Sequence, residues 1–494
     1  MSFWEKLVNN ALLGTDKQEV ELAHLPEALQ SLTDGLAQDQ ETRLLQVATL
    51  LMNFEKAGKN LPTLDDSWEL EIAKEEVFPY CNEKAISVLE NLIYEKHHHL
   101  IKFYLFVCAQ KKQIVFPTLL PELLNWGRNH LESKELISRV IGNRGMWLAY
   151  QNPTWYYLLP EHWEEDWLHG RIEERKSALK KMRQTQPLKA LSLLEQSWAA
   201  ESASQKTEYL QILEENLSIA DEEFLKNRLS DRSGKVKTEA TRLLRLIPDS
   251  ELSQQTWEAV SACFTIKKPS KTSRNDTMQI EFELANTSHG LWIQTDKPKE
   301  IESNQSKIDY SWIYAWEATI IPERWEKHFQ LAPHEIIEAF LESKNIKKHL
   351  QAILEAVIIY KNERWARAFL QNPSIRDARL LYVLPYQERK EFAISLMSSD
   401  ADEVVEAMQN DTFEEWSLEF TQKLMEIAIK DIYSYNKDFF KQLIPFLHFE
   451  VNSELLNYSF PDDYRKGYWK GTATEISYLL GLREEIKQIF FSTQ

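Results

Sequence analysis

Hydrophobic residues recur along most of the chain at the spacing of one helix face. In residues 87–100, Leu89, Leu92, Ile93 and Leu100 fall at i, i+3, i+4 and i+11. In residues 207–217 the stripe is Tyr209, Leu210, Ile212, Leu213 and Leu217, and in 349–360 it is Leu350, Ile353, Leu354, Val357 and Ile358. Positions three and four apart stack on one side of a 3.6-residue turn, so each run predicts an amphipathic helix. Pro62, Pro79, Pro117, Pro121, Pro153, Pro160, Pro187 and Pro248 punctuate these runs. Each predicts a helix boundary, because proline lacks an N–H and crowds the preceding turn. Many short helices divided by brief turns predict an all-α fold of helix pairs stacked in a row.

Residues 221–247 show one such pair. Phe224, Leu225, Arg228 and Leu229 mark a first helix, residues 230–234 (SDRSG) a capped turn, and Val236, Ala240, Leu243, Leu244 and Ile247 a second helix that Pro248 stops. This resembles a HEAT repeat, with Asp231 in the turn, Val236 and Lys237 in place of the usual Val-Arg, and a small Ala240 one turn on. The preceding stretch, about 173–216, has the same two-helix rhythm around Pro187. The resemblance implies an α-solenoid whose HEAT-like units span about 171–250. At longer range, residues 143–153 (NRGMWLAYQNP) echo residues 362–373 (NERWARAFLQNP), and each is followed by Leu-Pro, at Leu159-Pro160 and Leu384-Pro385. Either a helical half is duplicated or two helix ends are alike.

The helical pattern breaks once. Residues 266–276 are polar, rich in Lys and Ser, and aperiodic, which is the composition of a linker. Met278, Ile280, Phe282 and Leu284 then alternate with polar residues, and Leu291-Trp292-Ile293 follows a turn-like Thr-Ser-His-Gly. Period two predicts a strand, and the pair predicts one small β-hairpin near 277–293. The expected organisation is therefore an N-terminal helical-repeat domain over 1–264, a linker over 265–310 and a C-terminal helical domain over 311–494.

Composition narrows the function classes. The 494 residues carry 58 Lys and Arg against 76 Asp and Glu, a formal charge of −18, with only 12 Gly. So little glycine argues against dinucleotide-binding and phosphate-binding loop enzymes, and the acidic balance argues against a nucleic-acid partner. Three widely spaced cysteines, Cys81, Cys108 and Cys263, form no disulfide framework and no metal pair. The N-terminus lacks an apolar signal core, and the best apolar run, 103–109, is too short to span a membrane. A cytoplasmic protein with no membrane association is expected.

Few residues offer chemistry. His97, His98 and His99 are adjacent, so in a helix they point about 100° apart and cannot share one metal. Glu95 with His98, and Glu21 with His24, have the E-x-x-H spacing of di-iron bundles, but chance supplies such pairs, and a solvated polar face is the plainer account. No hydrolase, phosphate-loop, kinase or zinc-protease motif is present. No metal or cofactor is expected. Tryptophan is abundant at 16, with Trp147, Trp155, Trp163 and Trp167 gathered in one region. These would either lock helix pairs as core or anchor a partner, since Trp, Tyr and Arg dominate binding hot spots. The locally basic stretch 171–183 holds Arg171, Arg175, Lys176, Lys180, Lys181 and Arg183. It reads either as a solvated helix face or as a docking patch. The candidate partner-binding residues are Arg144, Trp147, Trp155, Trp163, Trp167, Arg171 and Arg175.

Three segments together resemble a bacterial family of helical-repeat proteins of undefined activity. They are Ala11 to Thr15 (ALLGT), the run from Arg175 with Met182, Arg183 and Pro187, and residues 224–250. The resemblance implies a protein that works beside a MoxR-type AAA+ ATPase, a von Willebrand A-domain protein and a SWIM zinc-finger protein, and it carries no catalytic residues over. A non-enzymatic scaffold or adaptor for protein partners is the expected function. The rival is a HEAT-like DNA glycosylase or another nucleic-acid-processing enzyme, which would need Trp and Asp to converge in a basic groove.

Overall fold

The computed structural model describes residues 3–15, 22, 25–57, 72–160, 163–267, 278–283, 311–343 and 346–491. Apart from one two-stranded sheet, the regular structure of these residues is helical. The chain divides into two compact units, Met1–Ala73 and Lys74–Gln494. In the first, Phe3–Leu13 and Gln40–Ala57 pack around Leu7, Leu25, Leu29, Leu44, Val47 and Leu51.

The second unit contains two hydrophobic cores. The smaller runs from Trp167 to Ile247 and is built by helices stacked on their neighbours in sequence: Trp163–His169, Ile172–Thr185, Pro187–Ser197, Ala203–Leu213, Glu222–Arg228 and Gly234–Leu246. The stripe read from the sequence is its centre. Val236, Ala240, Leu243 and Leu244 are all at most 1% exposed, so the register of the second helix is as expected. Ser233 caps that helix, its Oγ accepting the N–H of Val236, and Asp231 accepts the N–H of Ser233. Pro187 opens its helix at a position where the missing N–H costs nothing.

The larger core joins residues 81–158 to residues 259–490. The last helix, Asp463–Phe491, returns to pack on Glu83–Tyr94 and His98–Gln110. Phe490 meets Tyr104 edge-on at 5.1 Å, and Phe413 meets Phe103 and Phe106. Contacts between helices one or two apart in sequence thus build most of 163–261, whereas long-range contacts build the rest of this unit.

Two local expectations change. The stripe over 87–100 is divided between two helices, because Lys96 adopts a left-handed conformation with φ 61°. The N–H groups of Lys96 and His97 turn back to Ile93 and Leu92 and satisfy the carbonyls that end the first helix. The strand expected over 278–284 is present as β2, Gln279–Phe282, but its antiparallel partner is β1, Phe264–Lys267, which precedes the polar stretch. Residues 291–293 and most of the 265–310 linker lie outside the described residues.

The Gln-Asn-Pro echo is structural. Gln151 and Gln371 each end a helix, and Asn152 and Asn372 each accept the N–H two residues on. A six-residue 3-10 helix then leads to Leu-Pro in both. Gly142 and Lys361, both at positive φ, lie at the starts of the two helices, Gly142 as the first residue of its helix and Lys361 two residues before the other.

Candidate functional site

The locally basic helix Ile172–Thr185 is mostly engaged inside the smaller core. Arg183 is 1% exposed and holds Asp221, also 1% exposed, through two bonds of 3.0 Å. Its remaining N–H groups donate to the carbonyls of Pro187, Leu213, Glu215 and Asn216. A buried guanidinium is tolerable only when it is saturated in this way. Arg175 forks onto Glu201, donates to the carbonyl of Trp167 and lies 4.5 Å over the Trp167 ring. Lys176 pairs with Glu173 and Glu208. Arg171, Lys180 and Lys181 remain exposed.

These pairs brace one wall of an open groove of about 1000 Å³. Lys176, Lys180, Glu208, Gln211 and Ile212 line that wall, and the turn Glu214–Leu217 continues it. Leu246, Pro248 and the end of the helix Lys347–Ile359, with Tyr360 and Lys361, form the other wall. The Tyr360 hydroxyl lies 2.6 Å from the Thr319 carbonyl and 3.0 Å from that of Leu246, fastening this helix end to the smaller core. Arg324 adds bonds to the carbonyls of Pro248 and Ser253. Hydrogen bonds and ion pairs to neighbouring elements thus fix both walls of the groove. Its half-buried Ile212 and Leu217 and the 38%-exposed Ile359 offer apolar surface between charged rims.

None of the seven sequence-derived candidates lines the groove. Arg144 is exposed and Trp147 half-buried on the helix Gly142–Gln151, where the Arg144 backbone N–H donates to Glu76. Trp155 is buried in the larger core and donates to Asn125. Trp167 is 1% exposed in the smaller core and meets Tyr209 edge-on, with Trp163 packed beside it. The seven therefore fall in two groups, one on each core, with Arg171 exposed and Arg175 committed to Glu201. The groove was missed because part of its second wall, residues 359–361, lies more than a hundred residues from the first in sequence. A usable signal was the width of the 209–217 stripe, too broad for one buried face.

Two titratable clusters stand apart from the groove. Glu317 is fully buried, its Oε1 2.7 Å from Nδ1 of the buried His349, while its Oε2 has no hydrogen-bond partner. The rings of Phe264, Phe282 and Tyr314 surround His349. Burial holds the Glu317 carboxyl well above the usual carboxylate range and pushes His349 down to about 4. The three adjacent histidines separate as expected. His97 pairs with Glu95, His98 accepts from the Trp126 indole at 2.9 Å, and burial lowers His99 to about 4. Glu95 bonds to His97 and Tyr478 rather than His98, and Glu21 with His24 lies outside the described residues. Among the described residues no group of three His, Cys, Asp or Glu is placed to hold a metal ion, and no helix is long and apolar enough to cross a membrane. All three cysteines are buried, and burial raises the Cys108 thiol further from reactivity.

No curated protein and no solved structure matches the chain significantly. One family model does, over residues 6–490, which spans both compact units. The chain therefore belongs to DUF5691, a family of unknown function.

Proposed function

We propose that the protein is a non-enzymatic helical scaffold that binds a protein partner in the groove between residues 208–217 and 359–361. The observation that carries this reading is the groove itself: roomy, open, of mixed polarity, and fixed by Tyr360, Arg324 and Arg183. A preformed surface avoids the ordering cost that otherwise weakens association. The glycosylase reading draws no support, because neither Trp nor Asp lines the groove and its one aromatic, Tyr360, is occupied with backbone carbonyls. The MoxR-type AAA+ ATPase and von Willebrand A-domain protein enter as partners through the resemblance alone. The bacterial cytoplasm is part of the same proposal, in keeping with three buried, widely spaced cysteines.

The test is co-expression with that ATPase and A-domain protein, followed by size-exclusion chromatography. Wild type should co-elute with one of them. Leu217→Asp combined with Ile359→Asp should abolish co-elution while leaving the melting temperature nearly unchanged, since both residues are partly exposed. Co-elution that survives the double substitution excludes the groove as the docking site, and absence of any complex with wild type refutes the named partners.

A further inference from the structure

The turn between Glu83–Tyr94 and His98–Gln110 concentrates titratable side chains where the helix Asp463–Phe491 packs on these two helices. The indole N–H of Trp126, a residue 7% exposed, donates to Nδ1 of His98 at 2.9 Å. Indole nitrogen can only donate, so this bond exists only while His98 Nδ1 carries no proton. The His130 ring lies 4.4 Å from His98 and stacks on Trp126 at 4.5 Å. From the same segment, Lys96, His97 and Lys102 surround His98, and opposite it Glu132 bridges Lys102 and His130. His98 also opens a helix, where a positive charge opposes the helix dipole. One residue upstream, the His97 ring faces Tyr478 of the C-terminal helix, and the Tyr478 hydroxyl donates to Glu95 at 2.9 Å.

We propose that His98 and Trp126 form a proton-sensitive latch, closed while the imidazole is neutral and opened when it is protonated, that holds the turn 95–97 against the C-terminal helix Asp463–Phe491. Protonation turns Nδ1 into a donor that faces the indole donor. It also sets a cation against the His130 ring and beside Lys96 and Lys102. The first helical turn must then repack, and the grip of Glu95 and His97 on Tyr478 loosens with it. Burial, reinforced by His130 and the lysines, already holds the His98 pKa below its ordinary 6.5. The closed state is therefore complete above 6.5 and is lost as the pH falls through the folded-state value.

Hydrogen exchange, corrected for intrinsic rates and followed by mass spectrometry, reads the latch locally. In wild type, exchange in peptides covering 95–101 and 474–482 should rise several-fold between about pH 7.5 and about pH 5. His98→Asn keeps an acceptor near the Nδ1 position but cannot titrate, so its exchange in these peptides should not change with pH. Trp126→Phe should be open at both pH values. An unchanged wild type, a His98→Asn variant as responsive as wild type, or a Trp126→Phe variant closed at neutral pH would each overturn the proposal. Should Trp126→Phe fail to fold, the wild-type and His98→Asn comparison decides alone.

Discussion

Replacing Glu317 by Gln should stabilise the protein at neutral pH. Glu317 is fully buried with one oxygen unpartnered, and burial keeps it protonated while keeping His349 neutral. In the unfolded chain Glu317 ionises near 4.5, so folding must take up a proton at any higher pH. Each pH unit between that value and the folded-state pKa then costs about 1.4 kcal/mol. Glutamine has nearly the same shape, can still meet His349 Nδ1 and takes up no proton. The variant should therefore gain on wild type by up to about 1.4 kcal/mol per pH unit across that window. His349 acts with the opposite sign: its pKa is depressed, so its contribution is complete above 6.5 and lost as the pH falls towards about 4. In wild type the two effects should oppose each other above 4.5, and stability should decline with pH wherever Glu317 alone still takes up a proton. The variant should instead rise to 6.5 and then level off. Urea denaturation at about pH 5.5, 6.5 and 7.5 gives the curves, on the linear dependence of stability on denaturant. Infrared difference spectra should show a protonated carboxylic acid in wild type at neutral pH that the variant lacks. A variant less stable than wild type at about pH 7.5, or no protonated-acid band, would mean that Glu317 and His349 form an ion pair whose loss is costly, and the reasoning would fail.

Three further outcomes follow from the packing. Asp221→Ala leaves the Arg183 guanidinium buried without its carboxylate and should cost about 3–5 kcal/mol in denaturant unfolding. Val236→Asp should destabilise by a similar amount, roughly 3 kcal/mol or more, because Val236 is fully buried, while Lys235→Ala at the exposed neighbouring position should stay within about 0.5 kcal/mol; equal denaturation midpoints would contradict the assigned register. Lys96, Lys112 and Lys361 sit at φ 61°, 52° and 51° just past helix ends, so each Lys→Gly change should raise stability by about 0.5–1 kcal/mol in thermal melts, and a loss at all three would show that the lysine side chains carry more than the backbone strain.

Those lysines also show which parts of the fold were legible in the sequence. Helices over 221–247 and 347–359 follow directly from their stripes, because the buried face repeats every turn. The break at Lys96 was hidden, since the left-handed position past a helix end usually carries glycine and here carries lysine. The same substitution helps explain how so helical a chain manages with 12 glycines. β2 was visible from its alternation, but its partner Phe264–Lys267 was not. Strand pairing is set by contacts such as Ile280 N–H to Ser343 Oγ, which no local pattern records. The basic stretch 171–183 reads as a solvated face or a docking patch, but Arg175 and Arg183 turn inward, because their fate depends on Glu201 and Asp221 later in the chain. The groove has the same cause of invisibility: residues 208–217 become a wall only when 359–361 arrive opposite.

The closure of the larger core by Asp463–Phe491 bears on how the chain is made. Tyr478 meets Glu95 across 383 residues of sequence, and at 5–20 residues per second a ribosome needs roughly 20–80 s to cover that distance. Throughout that interval His98–Gln110, apolar on nearly every side, has Glu83–Tyr94 and Lys134–Val140 against it but lacks Asp463–Phe491, one of the helices that complete its packing. The core from Trp167 to Ile247 has a shorter wait, because its contacts are mostly local. A chain stopped shortly before residue 463 should thus emerge with this smaller core folded and an unfinished larger one that recruits holdase chaperones or aggregates, while a chain that includes Asp463–Phe491 should escape both.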